Sequence, residues 1–250
     1  MLQEEQNLYS ARKARVFLLL AGIFLGTLTM LNTLGVSRFI NFGDIHLFGY
    51  TFPFAVAVGV LPYPITFLCT DLISELYGRK KANQVVWTGL ILNLWVLFIL
   101  WLGGNLDAPT LGSDGLPLVE NNEVPYDYSF YFIRKLTFGA VIASMLAYLF
   151  AQLIDVHVFH WLKEKTKGEK LWLRNNASTM LSQLVDSVCV IVITYYATDG
   201  GLPIQEGYTV VEGLMVYIIS SYLFKVAAAL LDTLPFYLCV RYLKRYFGEA

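Results

Sequence analysis

The sequence predicts an all-α integral membrane protein, a bundle of six transmembrane helices with the N and C termini in the cytoplasm. Of its 250 residues, 56% are hydrophobic and only 15% are charged, and the mean hydropathy is +0.56. A soluble domain has about 45–50% apolar and about 25% charged residues, so this chain is too apolar for a water-exposed surface. Long uncharged runs and an uneven distribution of lysine and arginine indicate the number of helices and their orientation.

Cutting the chain at its charged residues leaves runs long enough to cross a bilayer, which takes roughly 20 mostly apolar residues. Four runs are free of charge, the fifth contains Asp186, and the sixth contains Lys225 and Asp232. The length of the first run and the lack of a small-x-small site argue against a cleaved signal peptide. We expect a single transmembrane domain over residues 1–250, with helices at about 16–36, 47–74, 83–104, 136–157, 175–198 and 213–240.

Lysine and arginine are concentrated in alternate loops. Fourteen of the 18 lie at the two termini and in the second and fourth predicted loops, whereas three lie in the loops between them. Because lysine and arginine accumulate in cytoplasmic loops, both termini are predicted to be cytoplasmic. The acidic loop at 106–132, rich in glycine and proline, is then predicted to be external.

Several classes of function are disfavoured by the composition. The net charge of −1 gives no sign of a nucleic-acid partner, and the three cysteines lie in apolar runs rather than in a disulfide framework. His157 and His160 have no third ligand at a useful spacing, so we expect no metal site. Because no nucleophile–base pair is visible, the sequence predicts neither an enzyme nor a cofactor-binding protein.

Polar side chains recur near the expected middle of the bilayer. A charge at the centre of a helix costs roughly 2.5–3.5 kcal/mol on insertion, and such residues usually face the bundle interior. Counting depth at about 1.5 Å per residue predicts one polar layer formed by Asn93, Gln183, Asp186 and Lys225. Two interpretations stay open: a ligand or ion site, and a buried Asp186–Lys225 pair that fixes helix register.

The stretch LPYPIT places two prolines around Tyr63 near the midplane of the predicted second helix. Each proline removes a backbone donor and crowds the preceding turn. Broken helices whose freed carbonyls line a cavity are typical of transporter sites, and a plain proline kink is the alternative.

A polar stripe begins the predicted fifth helix. Asn175, Thr179, Ser182 and Asp186 are spaced by four, three and four residues and therefore share one helical face. We expect this face to point into the bundle. Hydrogen bonding between helices is the alternative.

The stretch CTDLISELYGRKK carries Asp71 and Glu75 at the predicted cytoplasmic end of the second helix. A charge ladder ending in a positive anchor explains the bases, but Asp71 still lies on the apolar side of the boundary. Ser221, Lys225 and Asp232 fall on or beside one face of the last helix, and Asp232 has a depth similar to that of Asp71. We expect Asp71, Glu75 and Asp232 to form a gate or a proton relay.

Three stretches carry a family resemblance: TDLISELYGRKKA (70–82), LRNNASTMLSQLVDS (173–187) and KVAAALLDTLPFY (225–237). They resemble the signature blocks of the queuosine precursor transporters, also called the vitamin uptake transporter (VUT) family. The resemblance covers nearly the whole chain except the acidic third loop. It implies a multi-pass protein of the bacterial inner membrane without a dedicated ATPase. Its substrates would be 7-cyano-7-deazaguanine, 7-aminomethyl-7-deazaguanine or queuine, salvaged for queuosine modification of tRNA.

The chemistry of such a substrate fits the polar residues. A deazaguanine offers N1–H and an exocyclic amine, which one carboxylate accepts together. Its ring carbonyl needs an amide or lysine donor, and its faces suit aromatic walls. The expected substrate-binding residues are Asn93, Gln183, Asp186, Lys225, Tyr63 and Asn175.

Other interpretations of the chain stay open. It can be a substrate-binding membrane module that needs an energising partner, or a transporter of another small heterocycle or vitamin. The energy source can be protons or the substrate gradient alone. Small residues on the last helix, at 227–229, are compatible with a homodimer.

Overall fold

The computed structural model describes residues 2–47, 50–106, 128–167, 171–200, 202–204 and 206–248. Within these residues the chain forms six α-helices and one β-hairpin, and a single 3-10 turn at Val58–Val60 follows the hairpin. In chain order the elements are α1 Leu2–Leu34, β1 Phe39–Leu47, β2 Tyr50–Ala57, α2 Tyr63–Tyr77, α3 Arg79–Gly103, α4 Tyr128–Lys165, α5 Leu171–Ala197 and α6 Val210–Phe247.

Membrane-spanning helices dominate the described part of the chain. Five helices there are long and apolar enough to cross a bilayer: Tyr9–Leu34, Lys80–Gly103, Ser129–Ala151, Met180–Ala197 and Val210–Phe247. Their outward faces are apolar, as in α6, where Leu230, Leu231 and Leu234 are 72%, 73% and 68% exposed. Such a surface suits lipid rather than water. The prediction of a helical membrane protein is confirmed, but the chain predicted to be all-α also contains a β-hairpin.

The predicted helix at 47–74 is wrong over its first half. Residues Tyr50–Ala57 form a β-strand, and the helix begins only at Tyr63. Pro62 is the N-cap residue of α2 and Pro64 lies in its first turn, where a missing N–H breaks no helical hydrogen bond. The two prolines therefore start a helix instead of kinking one. In the segment Tyr50–Ala57, which precedes these prolines, the phenylalanine and valine residues favour a β-strand.

The hairpin is packed into the bundle on its β2 side. β1 and β2 pair antiparallel from Phe39↔Ala57 to Leu47↔Tyr50, with a bulge between Asn41 and Asp44. Ala55, Val56 and Ala57 are at most 3% exposed. The Ala55 N–H donates to Ser220 Oγ of α6 at 3.2 Å. Strand backbone inside a membrane needs protein partners for its polar groups, and β1 and Ser220 provide such partners for β2.

Two large clusters of buried apolar residues hold the described helices together, besides a small one around Val56. One packs α1, α2 and α3 together, with Leu20, Ile73 and Val85 among its buried residues. The other packs the hairpin against α4, α5 and α6. A cavity borders the second cluster, whose residues Val36, Ala140 and Ile191 line it.

The junction between α1 and the 3-10 turn is a backbone-to-backbone contact. The Gly59 N–H donates to the Gly35 carbonyl at 2.9 Å. A Cβ atom on Gly59 would collide with the Gly35 Cα and lie 2.8 Å from the Leu31 carbonyl oxygen. Glycine at position 59 therefore fixes where the chain enters α2, and with it the position of Tyr63.

We expect Gly59→Ala to lower the thermal stability of the detergent-purified protein, because the new methyl group forces two backbones apart. Overpacking of this kind costs about 1–3 kcal/mol. Gly22→Ala is the matched control, since nothing lies within 4 Å of a Cβ atom there, and its melting temperature should be unchanged or higher. Equal melting temperatures for Gly59→Ala and the parent protein would refute the close contact.

Candidate functional site

A cavity in the middle of the bundle is enclosed by the end of α1, the 3-10 turn, the first residue of α2, and α4, α5 and α6. It contains about 470 Å³ of empty space, counting the space at its open side. Only about 40 Å³ of this space is open to water-sized molecules, so a larger solute enters only if the surrounding helices move apart. Mostly apolar walls with a few polar groups are common in small-molecule sites. Nine of its lining residues are apolar or glycine. The polar lining residues are Asn32, Tyr63, Ser144, Ser187, Ser221 and Lys225.

A buried ion pair stands at this cavity. Lys225 Nζ of α6 lies 2.5 Å from Asp186 Oδ2 of α5. The Lys225 side chain is 3% exposed and that of Asp186 is 17% exposed, so water screens the pair only weakly. The Asp186–Lys225 pair, one of the two interpretations that the sequence allowed, is present in the structure. A role of the pair in ligand binding stays a prediction.

The Tyr63 ring completes the surroundings of the lysine. Lys225 Nζ lies 4.9 Å from the centroid of this ring, within the range of a cation–π contact. Tyr63 reaches this place because Pro62 caps α2 immediately before it. Three separate elements therefore converge on one ammonium group.

A second polar cluster joins α1, α3 and α4. Asn32 Nδ2 donates to Asn93 Oδ1 at 3.0 Å, and Ser144 Oγ donates to Asn32 Oδ1 at 3.1 Å. Asn93 Nδ2 donates to the Gly89 carbonyl at 2.9 Å. Asn93 lies 13 residues from the start of the span Lys80–Gly103, or about 20 Å along it, which is near its centre. Of the two asparagines only Asn32 lines the cavity, so Asn93 supports Asn32 from behind.

The predicted polar layer is therefore only partly assembled around the cavity. Tyr63 and Lys225 line it, and Asp186 lies behind Lys225. Gln183 does not line it, and its Oε1 atom is buried without a hydrogen-bond partner. The side chain of Asn175 lies outside the described residues.

The three predicted gate residues lie together on the interface of α2 and α6, away from the cavity. Glu75 Oε1 forms an ion pair with Lys244 Nζ at 3.1 Å. Asp71 lies on α2 and Asp232 on α6, which pack against each other, and Asp232 Oδ2 is buried without a hydrogen-bond partner among the described residues. Asp232 follows Lys225 by seven residues on α6, or about 10 Å.

Sequence reasoning missed Asn32, Ser144 and Ser187 at the cavity. Asn32 carried a signal, because an amide in the long apolar run of α1 must find a partner inside the membrane. The two serines gave little signal in the sequence, because a serine hydroxyl can bond to a carbonyl of its own helix and so costs little free energy in an apolar segment. Among the described residues, no group of three histidine, cysteine, aspartate or glutamate side chains is placed to hold a metal ion.

Comparison with known proteins gives a consistent picture. A family described as "Putative vitamin uptake transporter" matches residues 57–240. This range holds every wall of the cavity except the end of α1. No solved structure matches the chain significantly.

Three curated bacterial relatives are similar to the chain. A "Probable queuosine precursor transporter" of Bacillus subtilis (strain 168) is 29% identical over 196 residues, covering 77% of this chain and 72% of the relative. A "Queuosine precursor transporter" of Escherichia coli (strain K12) is 23% identical over 183 residues, covering 72% and 70%. A "Probable queuosine precursor transporter" of Haemophilus influenzae is 23% identical over 145 residues, covering 58% and 54%.

We expect Asp186→Asn to destabilise the protein strongly, because it leaves the Lys225 ammonium buried without a counter-charge. Breaking a buried pair in this way costs about 3–5 kcal/mol. The double variant Asp186→Asn/Lys225→Met removes both charges and should recover most of the loss. Thermal unfolding of the detergent-purified variants measures both effects.

The exposed Glu75–Lys244 pair provides the matched control for this experiment. Both its side chains are more than 40% exposed, so Glu75→Gln should cost no more than about 1 kcal/mol. If Asp186→Asn melts no lower than Glu75→Gln, or if the double variant is as unstable as the single one, the pair does not hold the helices as described.

Proposed function

This chain belongs to the family described as "Putative vitamin uptake transporter", and on that basis we propose that it imports queuosine precursors across the bacterial inner membrane. Its curated relatives are named as transporters, and the chain is a transporter, not an enzyme. The substrates we propose are 7-cyano-7-deazaguanine, 7-aminomethyl-7-deazaguanine and queuine. They share one flat ring with the hydrogen-bonding edge of guanine.

The observation that carries this proposal is the buried Lys225–Asp186 pair beside Tyr63 at the cavity. Lys225 has three N–H donors and gives one of them to Asp186, so the ring carbonyl of a deazaguanine can accept another. Tyr63 and the apolar side chains Val60 and Ile191 form walls that suit the faces of a flat ring.

Among the proposed substrates, the charge of the cavity favours the neutral 7-cyano-7-deazaguanine, because the amines of 7-aminomethyl-7-deazaguanine and queuine are protonated at neutral pH. The positive charge of Lys225 is balanced by Asp186, so no net charge is left to attract an ion. The role predicted for Asp186, accepting N1–H and the exocyclic amine together, requires its carboxylate to turn toward the cavity, because Asp186 now lies behind Lys225. Without that movement, Asp186 acts by holding the ammonium in place.

We propose six crossings of the membrane, of which the second is composite. α2 has 15 residues and measures about 22 Å, short of the roughly 30 Å hydrocarbon core. β2 has eight residues and adds about 26 Å. Together with the five long helices, β2 and α2 complete an even number of crossings.

One end of the bundle gathers basic residues from separate elements. The Arg12 guanidinium donates to the Tyr246 carbonyl, Lys81 lies over the Phe17 ring, and Lys244 pairs with Glu75. By the preference of lysine and arginine for the cytoplasm, we place this end and both termini inside the cell. The β-hairpin then belongs to the external half.

The acids between α2 and α6 lie between the cavity and the proposed cytoplasmic end. We propose that Asp71, Glu75 and Asp232 form the inner gate, since the Glu75–Lys244 pair joins α2 to α6 on this route. Binding of protons by Asp71 and Asp232 would remove two negative charges from this interface, which gives a mechanism for proton coupling. A homodimer through the exposed residues Ala227 and Ala229 would leave this route within each subunit.

We expect proteoliposomes containing only this protein to take up radiolabelled 7-cyano-7-deazaguanine saturably and above protein-free liposomes. Accumulation that needs an inward proton gradient would assign proton coupling, and equilibration without it would assign facilitated diffusion. Binding in detergent without any uptake would support the alternative, a substrate-binding module that needs a partner. Neither binding nor uptake would refute the substrate.

A further inference from the structure

The Ser221 hydroxyl is a buried polar group that lacks a partner. The residue is 2% exposed and lines the cavity, and its Oγ atom forms no hydrogen bond with the part of the chain that the structure describes. Leaving a buried hydroxyl unsatisfied costs free energy unless a ligand satisfies it. Its position on a cavity wall makes such a ligand possible.

Other hydroxyls in these helices behave differently. Thr29, Thr33, Ser187 and Thr198 each donate to the carbonyl four residues earlier in their own helix. This bond is the usual way for serine or threonine to be satisfied within a helix. Ser221 has the same option, yet it makes no such bond to the carbonyl of residue 217. Its hydroxyl remains available at the cavity.

Ser221 and Lys225 present two donors to one place. They are four residues apart on α6 and both line the cavity, so their Cβ atoms are about 5–6 Å apart. Lysine has donors only, and three of them. The atom that satisfies both side chains is therefore an acceptor, and in a deazaguanine the strongest candidate is the ring carbonyl oxygen.

We infer that Ser221 is a specificity-determining residue that binds, together with Lys225, the ring carbonyl oxygen of the transported heterocycle. This inference rests on the proposed function and deepens it. It assigns the site to lactam rings, and it predicts weaker binding of flat heterocycles that lack a carbonyl at this position. The nitrile nitrogen and the ring nitrogen N3 of 7-cyano-7-deazaguanine are the other acceptors, and the test separates them from the carbonyl.

Three compounds test the contact by isothermal titration of wild-type protein and Ser221→Ala in detergent. They are 7-cyano-7-deazaguanine, 7-deazaguanine without the nitrile, and 7-cyano-7-deaza-2-aminopurine without the ring carbonyl. Because one hydrogen bond is lost, Ser221→Ala should bind the two compounds that keep the carbonyl with about tenfold lower affinity than the wild type. The affinity for the compound without it should not change. The inference would be overturned if Ser221→Ala lost affinity only for the two compounds that carry the nitrile, or lost it equally for all three.

Thr194→Val is the matched control. The Thr194 Oγ1 atom is also buried without a partner, but Thr194 does not line the cavity, so the variant should bind all three compounds as the wild type does. Ser221→Ala should melt no lower than the wild type without ligand, because an unsatisfied group is removed. If the wild type binds none of the compounds, the proposed function fails. If Ser221→Ala binds all three like the wild type, only the Ser221 inference fails.

Discussion

A buried ammonium group needs a counter-charge wherever the backbone carries it into a membrane. In this protein the ion pair between Lys225 and Asp186 meets that need, and it holds α6 against α5. The Tyr63 ring faces the same ammonium and brings in the start of α2. Because desolvated charges are costly to separate, the relative placement of these three elements, and of the cavity beside them, depends on one interaction.

The cavity lies between two unlike regions of the bundle. On one side the hairpin inserts strand backbone, whose hydrogen bonds are satisfied within the hairpin and by Ser220. On the other side α2 and α6 meet through acids, one exposed ion pair and a carboxylate oxygen without a partner. Exposed ion pairs are weak, so this second interface is the easier one to open.

Much of the architecture could be predicted from the sequence, because hydropathy and buried charge are strong signals. Long apolar runs indicated the five long helices, and Lys225 and Asp186 stood out as charges that apolar helices do not tolerate singly. The predicted helix at 47–74 failed because hydropathy measures burial and not backbone conformation. Asn32 escaped notice because its partner Asn93 lies 61 residues away, a contact that only the fold creates.

The most direct test of the central claim is the affinity of 7-cyano-7-deazaguanine for the wild-type protein and for Asp186→Asn/Lys225→Met, measured by isothermal titration in detergent. The double variant retains a charge-balanced interior, so a loss of binding reports on the site and not on unfolding. If the pair forms the substrate site, the double variant binds about 100-fold more weakly, as loss of a charged hydrogen bond predicts. Equal affinities for the two proteins would contradict the assignment.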